Sequence, residues 1–201
     1  MNAFAAGHHG LAPIVVIPDQ LGSSQENPMC LDSALGNVET YLTVDVPKWI
    51  NAHLNVLNGR NNWSIAGFSE GGTCSIELGT KYRSMFGSIL DISGQIAPLN
   101  GTVAHTIRVG FSGSRAVYRA AMAPALLAAG SPFSNTLGIF VVGHLDARYG
   151  PQVAVVTRAA RAAQMDVHSF ISPSTGHDWY TEQYGLTVGL PVLSARWGFT
   201  P

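Results

Sequence analysis

The sequence predicts an α/β fold built on a mostly parallel sheet. Short β-branched and aromatic runs alternate with amphipathic stretches along the 201 residues. The first of these runs is apolar without alternation, the pattern of a strand buried on both faces. Segments rich in Gly, Pro, Asn and Ser separate the runs, and no internal repeat or low-complexity linker breaks the series. A chain of this length can enclose one substantial core.

Residues 13–17 (PIVVI) predict the first strand, and 19–37 a polar loop. Residues 38–57 place Tyr41, Leu42, Trp49, Ile50, His53 and Leu54 at helical spacing, with Pro47 delaying or kinking that helix. Residues 63–68 predict a strand and 72–85 a helix. Residues 88–92 and 106–111 predict two further strands. Residues 115–129 read as a helix with Pro124 near its middle. Residues 137–142 predict a strand, 151–164 a helix with proline at its start, and 165–171 the last strand. Residues 179–197 read as a closing helix weakened by Gly189 and Pro191.

Composition narrows the function. Hydrophobic residues make up 46% of the chain, which argues against disorder. Charged residues make up 11%, against ~25% in ordinary soluble domains. So little charge fits a secreted protein or a piece of a larger assembly. Net charge is −1 and no Lys/Arg run occurs, so nothing supplies the counterion release that drives nucleic-acid binding. No apolar stretch reaches the ~18 residues that span a bilayer. Residues 1–13 lack the basic region and apolar core of a signal peptide. Cys30 and Cys74 read either as two buried thiols or as one disulfide. No Cys-x-x-Cys pair occurs, so a zinc site has little support. His8-His9 reads as a polar loop.

The informative motif is Gly67-Phe68-Ser69-Glu70-Gly71, followed by Gly72. A nucleophilic serine at a sharp strand-to-helix turn needs a strained backbone that lifts its hydroxyl above the sheet. Glycines two residues before and two after are expected because side chains there would collide with the neighbouring elements. The helix start then aims free N–H groups at a developing oxyanion, with the Glu70 amide as one donor. The Glu70 side chain is not the candidate base. The pattern is common in a chain with 22 glycines, so its context counts: a strand-like WSIAGF before it, a helix-like GTCSIELGTKY after it. Partners should follow in the order acid, then histidine. His177 lies in a loop after the last predicted strand, whereas His144 and His168 lie at or inside strands. Asp146 follows the strand over 137–142 and is the expected acid; Asp91, inside a strand, is its competitor. Asp178 is too close to His177 in sequence to orient it.

These residues resemble the bacterial putative-esterase family, which includes esterase D and the mycobacterial mycolyltransferases. The closest resemblance is to actinobacterial exported or membrane-tethered members. It runs from about residue 1 to 197 and rests on APIVVIPD, GNVETYLTVDVPKWI, WSIAGFSEGGTCSIEL, GSILDISG, FVVGHLD and TGHDWY. It implies an α/β-hydrolase fold over residues 1–201, with Ser69 as nucleophile, Asp146 as acid and His177 as base. It also implies that Cys30 and Cys74 form a disulfide, provided the chain reaches an oxidising compartment. One departure stands out. Family members carry further strands before the one that APIVVIPD resembles, and a loop there donates the second oxyanion N–H. The domain is therefore expected to be N-terminally truncated, with the missing strand belonging between residues 13–17 and 63–68. Losing such a donor typically costs ~10²–10³ in rate.

The resemblance implies a serine esterase or acyltransferase acting through an acyl-enzyme on a small-molecule or lipid ester, without cofactor. Its location would be extracellular or membrane-tethered, the tether lying in sequence absent here. The rival reading is a truncated, non-catalytic hydrolase-like domain in which the same residues stand idle. A peptidase on the same scaffold is disfavoured, since no substrate-gating domain is visible. Phe68, Trp179 and Tyr180 read either as an apolar pocket beside the serine or as ordinary packing.

Overall fold

The computed structural model describes residues 2–22 and 26–199. A short helix, α1 (Asn2–Ala6), is followed by a hairpin of β1 (Asp32–Ser33) and β2 (Gly36–Asn37). Helix α2 (Val38–Thr40) passes through a π-helical turn, Tyr41–Asp45, into α3 (Val46–His53). A 3-10 turn at Arg60–Asn62 leads into β3 (Ser64–Phe68), then α4 (Glu70–Lys81) and β4 (Ser88–Ile92). Three short helices follow: α5 (Val103–Gly110), α6 (Arg115–Ala120) and α7 (Ala123–Gly130). The chain continues through β5 (Leu137–Gly143), α8 (Gly150–Ala162), β6 (Asp166–Ser172) and α9 (Trp179–Trp197).

Strands β3-β4-β5-β6 form one parallel sheet in chain order. The register sets Phe68, Ile92, Val141 and Phe170 side by side. The strands therefore finish at nearly the same level, and the loops that leave them cluster at one pole. Side-chain alternation sorts the core. Ile89 and Phe140 pack with Ile76 of α4, Leu127 of α7 and Val156 of α8 on one face. Leu90, Ile92, Ile139 and Val141 meet Leu193 of α9 on the other. Each such fully buried aliphatic side chain stabilises by about 1.5–3 kcal/mol. That offsets the ~1 kcal/mol per glycine and ~3 kcal/mol for Pro191 that α9 forgoes in helix propensity. The glycines also allow contact: a Cβ on Gly185 would meet Ile92 at 2.6 Å.

Three expectations from sequence are corrected. Residues 13–17 form no strand; Ile14, Val15 and Ile17 are exposed, Ile17 by 89%. A strand buried on both faces needs ladder partners. Among the described residues no strand pairs with the outer edge of β3, the place where a neighbour shared with 13–17 was expected. Residues 106–110 are helical, not extended, and Phe111 is the C-cap of α5. Thr102 caps α5 by accepting the His105 N–H at 3.2 Å, and Ile107 and Phe111 turn one face onto Met29 and Leu31. The expected helix over 115–129 is two helices, with Pro124 in the first turn of α7. The loop before α2 is also less polar than it reads, because Met29, Cys30 and Leu31 are buried.

Cys30 and Cys74 are joined by a disulfide, 44 residues apart in sequence. It ties the loop before β1 to the middle of α4 and is packed among Val38 and Leu78. A cross-link closing a loop of this length stabilises by about 2–4 kcal/mol. Urea unfolding with and without reductant should show that loss in the reduced protein, and Cys30→Ser/Cys74→Ser should reproduce it without reductant.

Candidate active site

The turn between β3 and α4 is made by two backbone segments in contact. A Cβ at Gly67 would lie 2.6 Å from the Gly71 Cα and nearer still to its carbonyl. A Cβ at Gly71 would meet nothing within 4 Å. The two glycines of the motif thus have unequal roles: Gly67 must be bare because the backbone of residue 71 occupies its side-chain space. Gly72 is bare for a different reason, since a Cβ there would lie 2.9 Å from the Ile92 carbonyl. Between them Ser69 adopts φ 59°, ψ −115°, a region that non-glycine residues rarely occupy. Its N–H donates to Ile92 O at 2.8 Å, and its carbonyl accepts the Thr73 N–H at 3.1 Å. Glu70 is the first residue of α4, so its N–H has no acceptor within the helix.

The structure brings Ser69, His177 and Asp146 together. Ser69 Oγ lies 2.8 Å from His177 Nε2, and His177 Nδ1 lies 3.1 Å from Asp146 Oδ2. Asp146 sits three residues past β5 with its side chain 2% exposed. Its Oδ1 accepts the Tyr149 N–H at 2.9 Å, which aims Oδ2 at the imidazole. The His177 loop leaves β6 and lies against the end of β5. The His144 N–H donates to Ser172 O and the Leu145 N–H to Thr175 O, at 2.9 and 2.8 Å. Gly143 permits this approach: a Cβ there would stand 2.6 Å from Thr175 O.

Aromatic rings hold the imidazole. Phe68 stacks on it at 4.8 Å between centroids, and Tyr149 faces it at 4.1 Å. Trp179 packs on Phe68 at 5.5 Å, and both Trp179 and Tyr180 are largely exposed. Sequence reading missed Tyr149, which both orients the acid and contacts the histidine. Its only sequence signal is its place three residues after an aspartate, the spacing of a side-chain-capped turn. A cavity of about 410 Å³ between α8 and β6 touches Asp146 but not Ser69, so it is no pocket for a group on the serine.

The other acidic residues take different places. Asp178 caps α9, its carboxylate accepting the Gly176 and Thr181 N–H groups at 3.0 Å each; those bonds lower its pKa. Asp91 is wholly buried in β4 and accepts the Gly94 N–H at 2.8 Å, away from His177. Burial pushes its pKa up to about 7. The Glu70 carboxyl accepts from Gln95 Nε2 at 3.3 Å, and burial raises it likewise to about 7. Glu77, fully buried on the same helix, is raised well above the usual range by burial and by Glu70. Among the described residues no His/Cys/Asp/Glu cluster has metal-ligand geometry.

With fold and site in place, comparison with known proteins is decisive. The family model described as Putative esterase matches residues 24–184. The chain belongs to the Putative esterase family. An uncharacterized protein of Corynebacterium glutamicum is 31% identical over 202 residues, covering 92% of this chain and 47% of that protein. The chain therefore spans about half the length of the curated relative it matches. An S-formylglutathione hydrolase from Agrobacterium tumefaciens superposes with a TM-score of 0.73 at 19% identity, covering 90% of this chain and 68% of its own. A ferulic acid esterase gives 0.69 at 17% identity, covering 83% and 64%. A fluorophosphonate-binding serine hydrolase from Staphylococcus aureus gives 0.66 at 13%, covering 83% and 67%. At these identities the shared property is the fold, which is that of the α/β-hydrolases.

Two outcomes are expected of this esterase-family chain. Gly67→Ala should destabilise it by at least ~1–3 kcal/mol, because backbone cannot yield to the added methyl. Gly71→Ala should be neutral or stabilise by up to ~1 kcal/mol, as a helical glycine with open space should. Urea midpoints of the two variants decide it, and equal losses would overturn the unequal roles. The raised carboxyls set a pH trend. Asp91, Glu70 and Glu77 hold protons in the folded state at pH values where the unfolded chain has released them. Stability should fall as pH rises from about 4 to about 7, and Asp91→Asn should flatten that slope in unfolding measured across the range.

Proposed function

We propose that this chain carries the active site of a serine esterase or acyltransferase acting on carboxylic esters. The observation that carries the reading is the continuous hydrogen-bonded line from Ser69 Oγ through His177 to the buried Asp146. In this mechanism Ser69 Oγ attacks the ester carbonyl carbon while His177 Nε2 takes the hydroxyl proton. Asp146 keeps the proton of Nδ1 in place and offsets the positive charge that forms on the ring. The carbonyl oxygen becomes an oxyanion beside the start of α4, where the Glu70 N–H is one donor. Collapse of the tetrahedral intermediate expels the alcohol, which receives the proton from His177. The acyl-enzyme then yields its acyl group to water or to an acceptor hydroxyl, with His177 again moving the proton.

Membership of the Putative esterase family supports ester chemistry. The similar solved structures include an S-formylglutathione hydrolase and a ferulic acid esterase, named for a thioester and for esters of a carboxylic acid, which supports acyl transfer to oxygen from more than one leaving group. The Cys30–Cys74 disulfide supports an oxidising location, extracellular or membrane-tethered. Turnover of p-nitrophenyl acetate tests the assignment. Ser69→Ala should abolish it, and Asp146→Asn should lower kcat by about 10⁴-fold, the loss seen when a triad acid is neutralised in other serine hydrolases. A fluorophosphonate probe should label the unaltered chain and not Ser69→Ala. A chain that labels equally with and without Ser69 would overturn the nucleophile.

A further inference from the structure

Three arginines gather at the opposite pole of the sheet. Arg60 precedes β3, Arg83 follows α4, and Arg196 ends α9, so residues remote in sequence converge where the strands begin. Arg60 and Arg196 both donate to the Asn135 carbonyl. Arg60 also donates to Arg83 O at 2.6 Å and to Thr136 Oγ1 at 2.8 Å. Arg83 Nη1 donates to the carbonyls of Gly130 and Pro132. Every one of these acceptors is neutral. Among the described residues no carboxylate pairs with any of the three guanidiniums. Three of the chain's eleven Lys and Arg residues thus share one place without a counter-charge.

The donors are not used up. A guanidinium has five N–H groups. Among the described residues, Arg83 Nε and Nη2 make no hydrogen bond, and Arg196 Nε is buried without an acceptor. A cavity of about 290 Å³ opens here, lined by Arg60, Arg83, Ser84, Phe133, Asn135 and Thr136. That is near the lower end of the ~300–1,000 Å³ of small-molecule sites. Desolvation by burial, and after it the nearby charges of Arg196 and Arg83, lower the pKa of Arg60. Carbonyls past the ends of α4 and α7 hold the guanidiniums in place through partial charge, leaving the net positive charge to be met.

We propose that this cavity binds a tetrahedral oxyanion, a phosphate or sulfate group, clamped by the free N–H groups of Arg83 beside Arg60, with the Arg196 charge close by. Guanidiniums present paired donors that match such an anion. β3 spans roughly 16 Å at ~3.3 Å per residue, which separates this site from Ser69. The test is thermal unfolding and calorimetry of the full chain with sodium phosphate, against sodium chloride at matched ionic strength. Phosphate should raise Tm saturably, and chloride should not. Arg83→Gln should weaken phosphate binding at least tenfold and leave p-nitrophenyl ester turnover within twofold of the unaltered chain. If Arg83→Gln does not fold by circular dichroism, Arg83→Lys, which keeps the charge and loses the paired donors, carries the same comparison. Equal responses to the two salts, or unchanged phosphate affinity in the folded variant, would sink the proposal. Vesicles of phosphatidylglycerol and of phosphatidylcholine locate the source. Arg83-dependent sedimentation with the former alone makes the anion a lipid headgroup, while phosphate binding without sedimentation makes it a soluble phosphate ester.

Discussion

The contact between the backbones of Gly67 and Gly71 is the constraint on which the site depends. It lets β3 turn into α4 without a linker, with one strained residue between. Ser69 is that residue, so its hydroxyl projects where neither strand nor helix can cover it. The strain of a positive φ at a serine, of order 1–3 kcal/mol, persists because the surroundings over-determine it. Ile92 O and Thr73 hold the Ser69 backbone on either side. Thr73 Oγ1 in turn accepts the Gln95 N–H at 2.9 Å, which fastens the turn to the loop after β4.

The parallel register does the rest of the positioning. Because the strands end level, residues 69, 146 and 177 leave the sheet near one another although they are far apart in the chain. Fine alignment comes from short-range bonds: Tyr149 to Asp146, and Thr175 to Leu145. Aromatic faces on His177 restrict the ring to the plane in which both nitrogens find partners. The buried acids of α4 and β4 lie apart from this line of bonds. Burial shifts them toward the protonated form, which lessens the cost of packing α4 against the sheet.

Much of this was legible in the sequence, for physical reasons. The motif at 67–71 is local, and strand and helix patterns around it are strong. Asp146 and His177 follow from chain order and from their places after strands. The contacts that hold them were not legible, because Tyr149 reaches His177 only through the fold. Residues 106–111 misled because a short β-branched run has the same composition in a strand and in a helix; the Thr102 cap and the packing on Met29 decide between them. Residues 13–17 misled for the opposite reason. Their strand propensity is high, but a strand is a property of a pair, and the described residues offer no partner. The arginine cluster left no mark in sequence, since positions 60, 83 and 196 form no basic run.

The outer edge of β3 has a consequence for the chain's behaviour in solution. An edge with unpaired N–H and C=O groups is a template on which any extended segment can add. Ile14, Val15 and Ile17 are such a segment, exposed and β-branched, and carried by every copy. A net charge of −1 gives little repulsion between copies. Such a segment on one copy and the β3 edge on another are complementary in backbone hydrogen bonding, and strand addition between copies is the association this pairing invites.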